Sequence, residues 1–325
     1  MKPQNMFKVK QILLFSFFIL WAATTQSQVA YFGKSLLNSQ KLEVLKKTTT
    51  LFTFQYNDYA ELEKFEQAIK KNWKITPYKI IKPEELGRYD TLANYSLFYF
   101  DAYTEKSDTI NNTNIIYALK LITPSKKPKV KEEILLAAVA LFADPSTNFL
   151  VETQDQQYGT KRRIKNNILS HFYNKASFYN WSPGFLSGYL KQINDGLLAS
   201  ENCNLDYQFY NRVRLPELAK ETLYVPEYIK EVFSSRLALL PPSGIIAEPY
   251  NYKLKFVSYK ALDSLILNNA APVKYVVYTQ RDNDKIISVY DSKDDKIIYQ
   301  CFYPQSPDFE MNDLSEIKKV IVSLK

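Results

Sequence analysis

Apolar residues recur along this chain in two rhythms, and their alternation lays out most of its elements. Leu51–Tyr56 is a short apolar and aromatic run, the signature of a buried strand. Asn57 and Asp58 interrupt it. Leu62, Phe65, Ile69 and Trp73 then return at helical spacing, predicting a helix over Tyr59–Trp73 with Asp58 and Glu61 as a variant capping box. Tyr78–Ile81 reads as a second strand, and Pro83 opens a short helix. Ser96–Tyr103 and Ile115–Ile122 read as strands joined by a polar loop that contains Asn111, Asn112 and Thr113. Ile134–Ala143 is apolar on every face, which predicts a buried core helix over Lys131–Ala143, too short to cross a bilayer.

Residues 144–220 read as helical, chiefly Gln157–Ala176 and Pro183–Ser200. The last third returns to strands at Thr222–Val225, Lys255–Ser258, Val273–Thr279, Ile286–Tyr290 and Ile297–Phe302, with helices at Ala261–Leu267 and Leu314–Val322. Its hairpin turns are Arg281–Asp284 and Asp291–Asp295. The fold class is therefore α/β: two small α/β domains of similar element order, residues 28–143 and 221–325, joined by a helical connecting segment at 144–220. Equal spacing supports the likeness, since the second and third strands start at 78 and 96 in one part and at 255 and 273 in the other. If the two parts are diverged copies, the ligand-facing ends of their first strands correspond. Asn57 and Asp58 then stand opposite Pro226 and Glu227, which makes Asn57, Asp58 and Glu227 the candidate binding residues.

The amino terminus alters the setting of this fold. Lys2, Lys8 and Lys10 precede an apolar run from Ile12 to Ala23, and Thr25 and Ser27 supply small residues before Gln28. These are the three parts of a cleavable signal peptide over residues 1–27. The apolar core falls short of the about 20 residues that a membrane anchor needs. The expectation is an exported protein, periplasmic, outer-envelope-associated or extracellular. Gln28 is then the first residue, and its amine is able to cyclise onto its own side chain. An uncleaved leader is the one route to membrane association.

Removing three lysines and no acid lowers the formal charge from +8 to +5, a mildly basic surface that names no partner. Only seven glycines are present, and neither G-x-G-x-x-G nor G-x-x-x-x-G-K-[ST] occurs, which argues against a bound nucleotide. No cofactor and no nucleic-acid partner is expected. Cys203 and Cys301 are the only cysteines, and an oxidising compartment permits a bridge between them or leaves each a buried thiol.

Each patch of candidate chemistry has a simpler structural reading. His171, the single histidine, lies beside Ile164 and Ile168 on a helical wheel without neighbouring ligands, so it packs and holds no metal. Gly184–Gly188 has the spacing G-x-x-S-G rather than that of a nucleophile elbow, and follows Pro183 at a helix start. Lys161, Arg162, Arg163 and Lys165 are spread around their helix, as on a solvated surface. The aspartates of the two hairpin turns match turn chemistry better than a calcium loop. Asp101 and Glu105 are the choice for a catalytic carboxylate pair should the protein be an enzyme.

The Ser27-Gln28 exit, the Lys-, Asn-, Ile- and Tyr-rich and Gly-poor composition, and the stretch Asn180–Leu186 together resemble uncharacterised secreted proteins of Bacteroidetes-type bacteria. The strand–helix–strand opening over 51–81 is similar in outline to small α/β domains of envelope proteins such as the TolB N-terminal domain. Neither resemblance implies particular site residues. The leading expectation is a non-enzymatic exported protein that binds another protein or a cell-envelope component. Its rivals are a polysaccharide- or peptidoglycan-directed hydrolase with a carboxylate pair, and a small-molecule-binding module with a cleft between two α/β domains.

Overall fold

The computed structural model describes residues 28–32, 39–89, 92, 94–106, 111–124, 131–204, 208–230, 250–268, 271–281 and 283–325. Residues 1–27, read from sequence as a leader, residues 231–249 and Asp282 of the first hairpin turn lie outside them. In chain order the first part contains β1 (Val29–Phe32), α1 (Ser39–Lys46), β2 (Thr49–Phe52), α2 (Leu62–Asn72), β3 (Tyr78–Ile80), α3 (Leu86–Tyr89), β4 (Tyr95–Lys106), β5 (Asn111–Pro124) and β6 (Lys131–Ala140). The middle contains α4 (Pro145–Glu152), α5 (Lys161–Asn174), α6 (Pro183–Leu198), β7 (Asn202–Cys203) and β8 (Phe209–Tyr210). The last part contains β9 (Leu223–Pro226), β10 (Leu254–Val257), α7 (Tyr259–Asn268), β11 (Lys274–Arg281), β12 (Asp284–Asp291), β13 (Lys296–Tyr303) and α8 (Met311–Ser323). Helices and two mixed sheets make this an α/β protein.

The two sheets share a pattern. One has the order β3-β2-β4-β5-β6-β1-β7 and the other β10-β9-β11-β12-β13-β8. In each, the first strand of the series lies between the second and third and runs parallel to both, and the third to fifth strands form an antiparallel meander. The first four strands of each series share one order, as the diverged-copy expectation required, and the fifth match joins β6, expected as a helix, to β13, expected as an added strand. Each sheet then adds short strands of its own beyond the meander: β1 and β7 in one, β8 in the other.

Several sequence expectations need correction. The segment read as a buried helix over 131–143 is β6, a strand paired on both sides. Ala137, Ala138, Val139 and Ala140 are all buried. A strand covered on both faces is apolar at every position, so periodicity does not tell it from a core helix. Asn111–Thr113 belong to β5, because the hairpin arms continue beyond the apolar stretch and pair Asn112 with Glu105. Asp58 does not open a helix at Tyr59. It accepts the backbone N–H of Gln55 and closes a 3₁₀ turn over Tyr56–Glu61, and α2 begins after it.

The middle segment is more than a connector. Ser182 caps α6 through the Phe185 N–H, with Pro183 in the first turn as the sequence indicates. Twelve residues of α6 are buried. Phe185 stacks on Tyr275 of β11 and Tyr189 meets Tyr290 of β12 edge-on. On the side of the first sheet, Trp181, just ahead of the helix, packs among Phe54, Phe65, Phe100 and Tyr117. One hydrophobic core therefore contains side chains of both sheets and of α6. Asn180 fastens the sheets together, accepting from the Phe142 N–H and donating to the Ala140 carbonyl and the Thr279 hydroxyl.

Candidate ligand-binding cleft

The cleft forms where the C-terminal half of α6 runs between the last strands of the two sheets. Its volume is about 530 Å³. β7 is the edge strand of the first sheet and β8 that of the second, and both contribute to the wall through Asn202, Cys203 and Phe209. Tyr31 of β1 and Ile297 of β13 add apolar surface. The close seat of Tyr31 depends on Gly196, because a Cβ there would lie 2.1 Å from its ring.

Charge in the cleft falls into two groups. Lys191 is paired with Asp195 one helical turn on, at 2.9 Å. Arg214 is held by Asp294 at 2.9 Å and Asp291 at 2.5 Å, and its backbone N–H and that of Val213 are tied to the Asn211 side chain. These groups shape the wall. Lys296 and Glu201 are exposed and have no ion pair among the described residues, so one cation and one carboxylate stay open to a ligand. Exposed apolar residues adjoin the lining in sequence: Leu198 before Ala199, Tyr210 between Phe209 and Asn211, and Val213 before Arg214.

The residues singled out from sequence lie elsewhere. Asn57 is exposed in the 3₁₀ turn after β2. Asp58 accepts the Trp181 indole N–H at 2.9 Å, and burial pushes its carboxyl up to about 6 despite that bond and the one from Gln55, with Glu61 adding repulsion. Glu227 follows β9 on the surface, 3.9 Å from Lys230. No hydrogen bond or ion pair joins Glu227 to Asn57 or Asp58 among the described residues. What Asp58 does meet is the entrance to α6, which a second carboxylate grips from the other side. Asp263 of α7 accepts the Ser182 hydroxyl at 2.6 Å and the Gly184 N–H at 3.0 Å. Gly184 is needed for this approach, since its Cβ would stand 2.5 Å from the Asp263 oxygen. Burial raises the Asp263 carboxyl to about 6 as well, against those two bonds and the pull of Lys64.

Asp101 is buried in β4 and bridged to Lys120 at 2.5 Å, with Lys165 at 3.8 Å. Lys120 also holds Glu133 at 3.1 Å, and the Glu105 side chain lies outside the described residues. Lys161, Arg162 and Arg163 are exposed. His171 faces α4, with Nε2 2.8 Å from the Thr147 hydroxyl, and no group of three or more His, Cys, Asp or Glu able to hold a metal occurs among the described residues. Cys203 and Cys301 are both free thiols. In the second hairpin Asp291 accepts the Lys293 N–H, as turn chemistry predicts, but Asp295 turns inward to Asn72 and Ser187.

Sequence reasoning missed the cleft because its walls come from residues as distant as Tyr31, Cys203 and Lys296. The one local sign was Gly196, a glycine inside a helix with no turn to make. No family model, curated protein or solved structure matches this chain.

Proposed function

We propose that this is an exported, non-enzymatic binding protein of the cell envelope that takes an extended segment of a partner protein into the cleft between its two sheets. The observation that carries the reading is the position of the cleft, where edge strands of both sheets converge. Apolar walls with a few fixed polar groups are usual at binding sites, and a cleft walled by both sheets accommodates an extended chain. The open charges Lys296 and Glu201 suit a peptide with side chains of both signs, and the wall residues Tyr31, Phe209 and Ile297 suit its apolar positions. A photoactivatable residue replacing Ala199, exposed at the mouth, tests the reading in living cells. A discrete adduct of the exported protein is expected there, and none from the same residue at the fully exposed Tyr158. Absence of an adduct at 199, or equal adducts at both positions, sinks the proposal.

A further inference from the structure

Gln28, the residue that leader removal would place first, is wholly buried. Its backbone N–H donates to Gln300 Oε1 at 3.3 Å, its carbonyl accepts from the Ala140 N–H at 2.9 Å, and its side-chain amide donates to the Tyr189 hydroxyl at 2.9 Å. The second layer is neutral too: Ser288 donates to the same Gln300 oxygen, and Tyr189 donates to the Asn180 carbonyl. Gln28 Oε1 is buried with no hydrogen-bond partner among the described residues. Among the described residues an α-ammonium placed here would meet the neutral Gln300 and no carboxylate, and a buried charge without a counter-ion is strongly destabilising.

We propose that Gln28 is a modification site, and that the chain folds with a pyroglutamyl terminus. This rests on the export reading above. After the leader is removed, the α-amine attacks the side-chain Cδ. The N–Cδ bond forms, the Cδ–Nε2 bond breaks, and the amide nitrogen leaves as ammonia with the proton given up by the amine. The lactam retains one N–H at the place that now donates to Gln300, and carries no charge. Tyr189 loses one donor and keeps its own bond to Asn180. The ring is expected to close before folding, since in the folded chain the Gln28 side-chain amide is engaged with the Tyr189 hydroxyl and not with its own amine.

Intact mass of the exported protein is the direct test. The expected value is that of residues 28–325 less one ammonia, and pyroglutamyl aminopeptidase should release the ring only after denaturation. A folded protein with a free, amine-reactive Gln28 overturns the inference while leaving export standing. A chain that starts elsewhere overturns both. Gln28→Asn supplies an independent readout, because it retains an amide but closes no comparable ring. Its buried terminus must then be a neutral amine, so its stability should rise with pH up to about 8, the usual range of an α-amine, while the wild type shows no such rise. Matching pH profiles for the two proteins would also refute the cyclised terminus.

Discussion

Asp263→Asn separates the charge of the α6 clamp from its hydrogen bonds. The asparagine carbonyl can still accept from Ser182 and Gly184, which bond the same Oδ1 atom, and only the ionisation is lost. In the wild type, burial moves this carboxyl from 3.8 to about 6. Each unit is worth about 1.4 kcal/mol, so the ionised form costs the fold about 3 kcal/mol. The sign follows from proton binding. Between about pH 4 and pH 6 the folded protein retains a proton that the unfolded chain has released, so stability falls as pH rises through that window and stays reduced above it. Below it both states are protonated and the group contributes nothing. Glu61 on the same side adds to the cost and Lys64 subtracts from it. Urea unfolding of both proteins at several pH values should therefore show near equality at pH 4 and an advantage for the variant at pH 8, up to about 3 kcal/mol. Asp58 stays in the variant and contributes its own, matching dependence. An Asp263→Asn protein less stable than wild type at pH 8, with an undiminished pH slope, would refute the reasoning.

Three further outcomes follow from the packing. Gly196→Ala should destabilise by about 1–3 kcal/mol in urea unfolding, because the new methyl meets the Tyr31 ring, and Tyr31→Ala in the same chain should recover part of the loss. Without that clash, alanine in a helix would instead stabilise. Asn180→Ala leaves the Phe142 N–H and the Ala140 carbonyl without their partner between the sheets, and thermal unfolding should register a loss of about 2–4 kcal/mol. Lys285→Met strands the buried Asp313 carboxylate that it pairs with at 2.9 Å, a loss of about 3–5 kcal/mol, and adding Asp313→Leu should restore most of it.

How far the fold was legible depended on whether a residue's partners were local. Strands β9 to β13 fell within a few residues of their expected ranges, because hairpin turns and alternating apolar positions are short-range signals. The order of strands within each sheet was not legible, since the parallel pairs that set β2 and β9 between their neighbours are long-range contacts. β6 failed for the opposite reason, since its uniform apolarity reflects strands on both sides and cover on both faces. β1, β7 and β8 are two to four residues long and have no rhythm to detect. Asp58 was singled out as a ligand contact because it follows a strand, yet its partner is Trp181, across the chain. The cleft was beyond reach, since nothing in Lys296 or Glu201 distinguishes them from other surface charges until the chain is folded.

The place of β1 bears on how the chain is made. Val29–Tyr31 pair with Ala137–Val139, and Tyr31 and Phe32 pair with Cys203 and Asn202. The first strand to leave the ribosome must therefore wait for more than a hundred residues before its first partner exists. It waits longer still for its second. A chain halted between residues 140 and 202 has an apolar strand, Val-Ala-Tyr-Phe, with one edge uncovered, and such edges pair readily with other chains. Truncated translation products that end in this interval should aggregate, whereas chains that extend past Cys203 bring the strand that closes the edge.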